Sequence, residues 1–454
     1  MKSINFRKGL AALVAFGFLA AACGGSDSGS TTEAPTTEAP TTEAPVTEPP
    51  VTVDYTAMGL WNDGPCDATK EELVIGLQTV FESAVLTLKD QAQSLEATAL
   101  AFNSRGGANG ACIKIVTCDD GADPNKAVEC VRTLDDAGVS VTLNDTTSVA
   151  GKDVSAGYAA AGIPRFALSP GQDDYPDTNS YPFGGGGTGT TLMMPKALIT
   201  AGLKKIAIIR VDLPAASALL GLFTTLYTKD GVEFVADLPV PAGTTDYSQF
   251  IIAAQDAGAE GIVMPLGGQE AIQVVNAAKQ LGSSIKISGS MGTFPLSDIR
   301  SLGDYAANVI LNSENTPIYE NDDVSAVARA DLESTGVAEL AGANIKNSPY
   351  RSWIGMYALL YILRQAQTED FSRANIKALI EASGAIPMLG ITADWTPVTN
   401  HPGAWLRLGN GDYRFYQLDP TITDTFDGEP GAFVKIGAAD MDELLCGTLG
   451  GPCA

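Results

Sequence analysis

Histidine is nearly absent from this chain of 454 residues: there is one, His401. With no second imidazole, a Ser-His-acid triad has only an Asn-His-Pro turn to draw on, and multi-histidine metal sites have no ligands. Cysteine is sparse too, at seven, and no two stand in a Cys-x-x-Cys pair, which argues further against zinc. Basic residues are few, 28 Lys and Arg against 53 Asp and Glu. A surface that acidic repels phosphate backbones and excludes nucleic acid as a partner. Beyond the first two dozen residues, no apolar run approaches the about 20 residues that a spanning helix needs.

The N-terminus has the layout of an export signal. Lys2, Arg7 and Lys8 form a basic segment, Gly9 to Ala22 is apolar, and small residues directly precede Cys23. That order predicts a lipoprotein signal peptide over 1–22, with Cys23 as the acylated residue. Removing it takes three basic residues and no acidic one, leaving 25 against 53, a net charge of −28. Thr-Thr-Glu-Ala-Pro then repeats three times from Thr31 to Pro45. A Thr/Glu/Pro segment over 23–55 has too little apolar content to build a core and reads as an extended tether. More than one acyl chain makes such an anchor stable. The expected location is the extracellular face of the cytoplasmic membrane, with the lipid as the sole membrane contact.

From residue 56 onward, short β-rich runs alternate with helical stretches. Leu73–Leu77, Ile113–Thr117, Val139–Leu143 and Ile163–Leu168 read as strands, and helices fall between them. Asp123-Pro124 supplies an N-cap and a first-turn proline. A second set follows, with strands at 205–210, 232–237, 261–264 and 285–289. Such alternation means right-handed βαβ units and parallel sheets. The fold class is therefore α/β, with two doubly wound lobes and a cleft between them. The late segment makes poor sense as a third domain. Its helices, 348–367 and 372–382, suit a return to lobe one, and its strand-like runs at 389–393, 404–408 and 413–417 suit a return to lobe two. The expected boundaries are 56–190 for lobe one, 191–316 for lobe two, 317–388 for the return to lobe one, and 389–454 for the return to lobe two with the tail.

Six cysteines remain once Cys23 is set aside, an even number that in an exported chain reads as disulfides. The coarse fold favours Cys118–Cys130, where a strand end meets the following helix. Cys66–Cys112 join one end of two neighbouring strands, and Cys446–Cys453 close a Gly-rich tail.

Several residues together resemble the branched-chain amino-acid-binding family of type I periplasmic solute-binding proteins. They are Phe102-Asn103-Ser104-Arg105-Gly106-Gly107-Ala108-Asn109-Gly110, Cys118-Asp119-Asp120, Asp123-Pro124, Ala161-Gly162-Ile163-Pro164 and Asp246-Tyr247-Ser248, with Tyr357-Ala358 late in the chain. The likeness runs from 71 to about 420. It implies three crossover segments between the lobes, a solute held in the cleft, and a monomer that delivers cargo to an ABC transporter permease, without catalysis or cofactor. It also implies contacts from the loops after the strands, as in open α/β sheets generally. In lobe one these are Gln78, Thr79 and Phe81, then Asn144, Asp145, Thr146 and Thr147, then Ser169, Pro170 and Gly171, with Tyr350 and Trp353 closing the side. Lobe two would give Asp212, Gly267, Gly268, Gln269, Ser290 and Met291.

Two departures bear on the solute. The lobe-two turn that would carry an acidic partner for an ammonium reads Gly289-Ser290-Met291-Gly292, and Leu213-Pro214-Ala215-Ala216 stands where an aromatic residue is common. Either Asp145 or Asp212 meets the ammonium, or the solute is not an amino acid; amides and small carboxylates fit equally. A sensory receptor of the same fold is the rival role. Gly184-x-Gly186-x-x-Gly189 follows a polar loop rather than a strand, so it reads as a flexible inter-lobe connection and not a dinucleotide site. Asp119, Asp120 and Asp123 lack the spacing of a calcium loop.

Overall fold

A computed structural model describes residues 53–83, 87–212, 216–241, 243–401 and 403–446. The expected signal segment, Cys23, nearly all of the tether, and Cys453 lie outside the described residues.

Lobe one opens with β1 (Leu73–Thr79), α1 (Lys89–Ser104), β2 (Ile113–Asp119), α2 (Pro124–Asp136), β3 (Val141–Leu143), α3 (Gly151–Ala161), β4 (Arg165–Phe166) and β5 (Ser180–Tyr181). The sheet order is β2-β1-β3-β4-β5 and every pairing is parallel. Six of the seven β1 residues are buried, as expected where helices cover both faces of a parallel sheet. Asp123 caps α2 by accepting from the Asn125 and Lys126 amides at 2.8 and 3.2 Å.

The chain then crosses. Lobe two holds α4 (Gly186–Thr200), β6 (Lys205–Val211), α5 (Leu219–Tyr227), β7 (Glu233–Val240), α6 (Ser248–Asp256), β8 (Gly261–Val263), α7 (Gly268–Gln280), β9 (Lys286–Ser290), α8 (Leu296–Ser301) and β10 (Val309–Ser313). The glycine run is thus not a loose connection. It opens a helix, because Gly185 and Gly189 lie against the Tyr413 hydroxyl and Met441 sulfur, where an added Cβ would come within 2.9 Å or less. After a second crossing, α9 (Asp323–Glu333) and α10 (Asn347–Gln365) pack on α1 in lobe one, followed by α11 (Arg373–Ala382).

The third crossing leads to β11 (Asp412–Thr423), β12 (Pro430–Asp440) and α12 (Met441–Leu445). The second sheet runs β12-β11-β10-β9-β8-β6-β7, with β11 and β12 added antiparallel to a parallel core. Two late runs differ from expectation. Residues 389–393 are turn, and 404–408 contain only a short 3-10 turn, Gly403–Trp405; β12 carries no clean alternation and went unread.

Two disulfides brace lobe one: Cys66–Cys112 and Cys118–Cys130, with Cα separations of 5.1 and 5.6 Å. Cys446 is also disulfide-bonded, and its expected partner Cys453 is outside the described residues. No helix among the described residues is long and apolar enough to cross a membrane.

Candidate functional site

The strand ends of both lobes converge where the chain crosses. After β1, Gln78 and Thr79 are fully buried. The Gln78 amide donates to Asp120 Oδ2 and the Ala127 carbonyl, both at 3.1 Å, and its Oε1 accepts from the Tyr158 hydroxyl at 2.9 Å. Thr79 donates to Gln91 Oε1 at 2.6 Å. Both side chains are enclosed and hydrogen-bonded within lobe one, contrary to expectation. Phe81 is half-buried, and its amide is held by Asp119 Oδ1 at 2.9 Å.

The loop after β3 is organised by a residue that sequence reasoning passed over. Arg165 on β4 is fully buried; its Nε donates to Asp145 Oδ2 at 2.8 Å, its Nη2 to Thr147 Oγ1 at 2.8 Å, and its Nη1 to Asp174 and Ser155. Burial disfavours the guanidinium charge, but Asp145 and Asp174 overcome that and raise its pKa above the ordinary arginine range. Asp145, also accepting from Thr142 at 3.0 Å, is the counter-ion of this arginine and not a partner for a ligand ammonium. Thr147 is used by the same group. The legible signal was a charged residue inside the otherwise apolar run Ile163–Leu168.

What remains open in lobe one is narrower. Thr146 is half-buried, its hydroxyl 3.1 Å from the Gln91 amide, and it bridges to Ser169 along the backbone. Ser169 and Gly171 are half-buried, their amides held by the Asp145 carbonyl at 3.0 Å and Asp174 Oδ2 at 2.8 Å. Asn144 donates to Ser352 Oγ at 3.0 Å, and its Oδ1 is buried without a partner. Asn144, Ala150 and Ala167 all adopt left-handed backbone, with φ of 57, 53 and 51°. Such conformations are uncommon outside glycine and cluster where a loop must be held in one shape.

In lobe two, Asp212 is exposed, while Arg210 beside it pairs with Asp237 at 2.8 Å. Gly267 precedes α7 in extended conformation and offers no side-chain cap, so the first-turn amides at Gly268 and Gln269 are presented bare. Ser290 is half-buried and accepts from the Gly292 amide at 3.1 Å. Met291 is fully buried, which removes it from the expected contacts.

Tyr350 and Trp353 do not close the cleft. Both are fully buried in the helical layer of lobe one: the Tyr350 hydroxyl lies 3.2 Å from that of Ser325, and Trp353 Nε1 donates to Asp331 at 2.8 Å. Trp353 also packs on Phe102 and stacks on Tyr357. The face of α10 that reaches the lobe boundary carries Ser348 and Arg351 instead. Ser348 donates across it to the Gly292 carbonyl at 3.2 Å. Arg351 pairs with Glu314 at 2.5 Å and donates to the Leu168 carbonyl at 3.3 Å.

A two-lobed α/β body with its loops gathered at strand ends and three crossings has known counterparts. The family model described as periplasmic binding protein matches residues 75–421. The chain belongs to the periplasmic binding protein family. No curated protein matches it in sequence. Among solved structures, this binding protein resembles a solute-binding protein of an ABC transporter from Rhodopseudomonas palustris in complex with 4-hydroxybenzoate. That match has a TM-score of 0.64 and 13% identity and covers 82% of this chain and 97% of the other. A fatty acid ABC transporter substrate-binding protein from Thermomonospora curvata matches with TM-score 0.65 and 15% identity, over 85% and 96% of the two chains. A putative branched-chain amino acid ABC transporter protein from Rhodospirillum rubrum matches with TM-score 0.54 and 16% identity, over 76% and 97%. The family and these structures are binding proteins, not enzymes.

Proposed function

We propose that this chain captures a small solute bearing a carboxylate and no ammonium group, and hands it to an ABC importer. The observation that carries the reading is the absence of a spare acid at the expected ammonium positions. Asp145 is bound to Arg165, and the turn Ser290-Met291-Gly292 has no carboxylate. Asp212 is exposed and beside a cation, where water screens it. Donors suited to an anion are present instead: the bare first turn of α7 and the hydroxyls of Thr146, Ser169 and Ser290. The R. palustris protein is in complex with 4-hydroxybenzoate and the T. curvata protein is named for fatty acid; both are carboxylates, which supports the same class.

The contacts we assign are Phe81, Thr146, Ser169 and Gly171 from lobe one, and Gly267, Gly268, Gln269 and Ser290 from lobe two. Closure follows because only a closed form lets one solute touch both sets. We assign the monomer to the extracellular face of the cytoplasmic membrane, anchored through acylated Cys23, with the tether giving it reach to the permease. Mass spectrometry of solute carried through purification tests the ligand class; an α-amino acid in the cleft would overturn it. For the anchor, Cys23→Ser is expected to release the protein from membranes without loss of export. A variant that still sediments with membranes would refute it.

A further inference from the structure

We propose that Glu314 and Arg351 form a cross-lobe latch that holds the lobes in the arrangement seen here and so sets the closure equilibrium. Glu314 follows β10 and is fixed to lobe two. One carboxylate oxygen accepts from the Gly186 amide at 2.6 Å, at the start of α4, and from the Tyr413 hydroxyl at 2.8 Å, on β11. An added Cβ at Gly184 would come within 2.8 Å of the same carboxylate, so the first crossing is packed against it. The Glu314 carbonyl accepts from Thr392 of the third crossing at 3.2 Å and from Arg414 of β11 at 3.4 Å. All three crossings therefore meet at one residue.

Arg351 belongs to the other lobe. It rides on α10, which packs against α1 and β3, and its Nη2 donates to the Leu168 carbonyl just past β4. Its remaining contact of opposite charge is the second oxygen of Glu314, at 2.5 Å, with side-chain exposures of 12% and 4%. Rotation of one lobe on the other must lengthen this pair, because each partner is held by its own lobe. A buried ion pair resists such separation strongly, since either charge alone would be left poorly solvated. The Arg351 guanidinium also lies over the Phe183 ring of the first crossing, 5.8 Å from its centroid. The nearby Ser348–Gly292 contact is a single neutral hydrogen bond and carries less.

The latch rests on hinged closure as the mode of binding. It is tested by electron-spin distance measurement on the full chain, with labels at the exposed positions Lys152→Cys in lobe one and Gln280→Cys in lobe two. Glu314→Gln keeps an acceptor for Gly186 and removes the charge; Arg351→Met keeps the stem and removes the guanidinium. Without added solute, each variant is expected to move at least tenfold more of the population to longer distances than in the parent. The double variant should add little beyond either single one, because both remove the same interaction. Melting curves check that each variant is folded, and if one fails to fold the other decides. A parent whose distances shorten with benzoate, alongside folded variants indistinguishable from it, would overturn the latch and leave closure standing. Distances fixed in parent and variants, with and without benzoate, would overturn both.

Discussion

Arg165 decides what the loops of lobe one are free to do. It is fully enclosed and meets two carboxylates and two hydroxyls. Removing one partner of a buried charge pair commonly costs about 3–5 kcal/mol, because the other charge is stranded. Arg165→Ala is therefore expected to lower unfolding stability by about that amount in chemical denaturation, with Asp145→Asn in the same direction. Trp353→Ala should behave likewise, losing about 3–5 kcal/mol through cavity formation and the Asp331 hydrogen bond, with no selective effect on solute affinity. Thr146→Ala is predicted to do the opposite, weakening binding about tenfold while the denaturation midpoint moves little. These side chains could be ranked by residue type in the sequence but not by partner. Asp145 and Thr146 are adjacent and both polar; only the fold shows that one is enclosed with an arginine and the other half-buried beside Gln91.

At the level of elements, the parallel strands and their helices were legible because apolar runs of strand length, bounded by turn residues and N-caps, leave little choice. The β11–β12 hairpin was half hidden. β12 mixes Gly, Lys, Ala and Asp and buries little of itself, so its strand identity comes from pairing with β11 and not from its own pattern. The glycines before α4 read as slack, yet they are close-packing contacts. The turn from β12 into α12 holds a titrating group that follows from the packing. Burial, with Asp440 and Asp412 nearby, pushes the Asp442 carboxyl up to about 6. Because this folded-state value lies above the unfolded one, the native state binds the proton more tightly. Stability is then fully present below about pH 4 and is lost as pH rises through about 6. Asp442→Asn is expected to raise the melting temperature at pH 7.5 and to give no gain near pH 4. The gain should be modest, on the order of 1 kcal/mol, since the group is only half-buried and partly screened. The Cys118–Cys130 bridge belongs to the same scale. It ends β2 just before Asp119, whose side chain holds the Phe81 amide. Cys118→Ser with Cys130→Ser is predicted to lose about 3 kcal/mol of stability and to weaken solute binding, as read by titration.

For the whole molecule, the order of strands and helices along the chain pointed to two lobes and to helices returning late, and the sheets place them so. The return is physically required. Without α9 and α10, one face of α1 and the Phe102 side would stand exposed, and with them Trp353, Phe102 and Tyr357 form a continuous apolar layer. The ligand set was less legible, because contact residues are chosen by direction across a boundary that the sequence does not display. Of the residues expected at the cleft, Gln78, Thr79, Asn144, Asp145, Thr147, Pro170, Met291, Tyr350 and Trp353 are buried. The pairing of Asp145 with Arg165 in particular favours, among the solutes the sequence leaves open, an ammonium-free carboxylate. A thermal-shift comparison of the full chain with benzoate, 4-hydroxybenzoate, short fatty acids and leucine tests that claim most directly. At saturating solute, at least one ammonium-free carboxylate should raise the melting temperature by about 3 °C or more, and leucine should leave it unchanged. Stabilisation by leucine, with none by any carboxylate lacking an ammonium group, would contradict it.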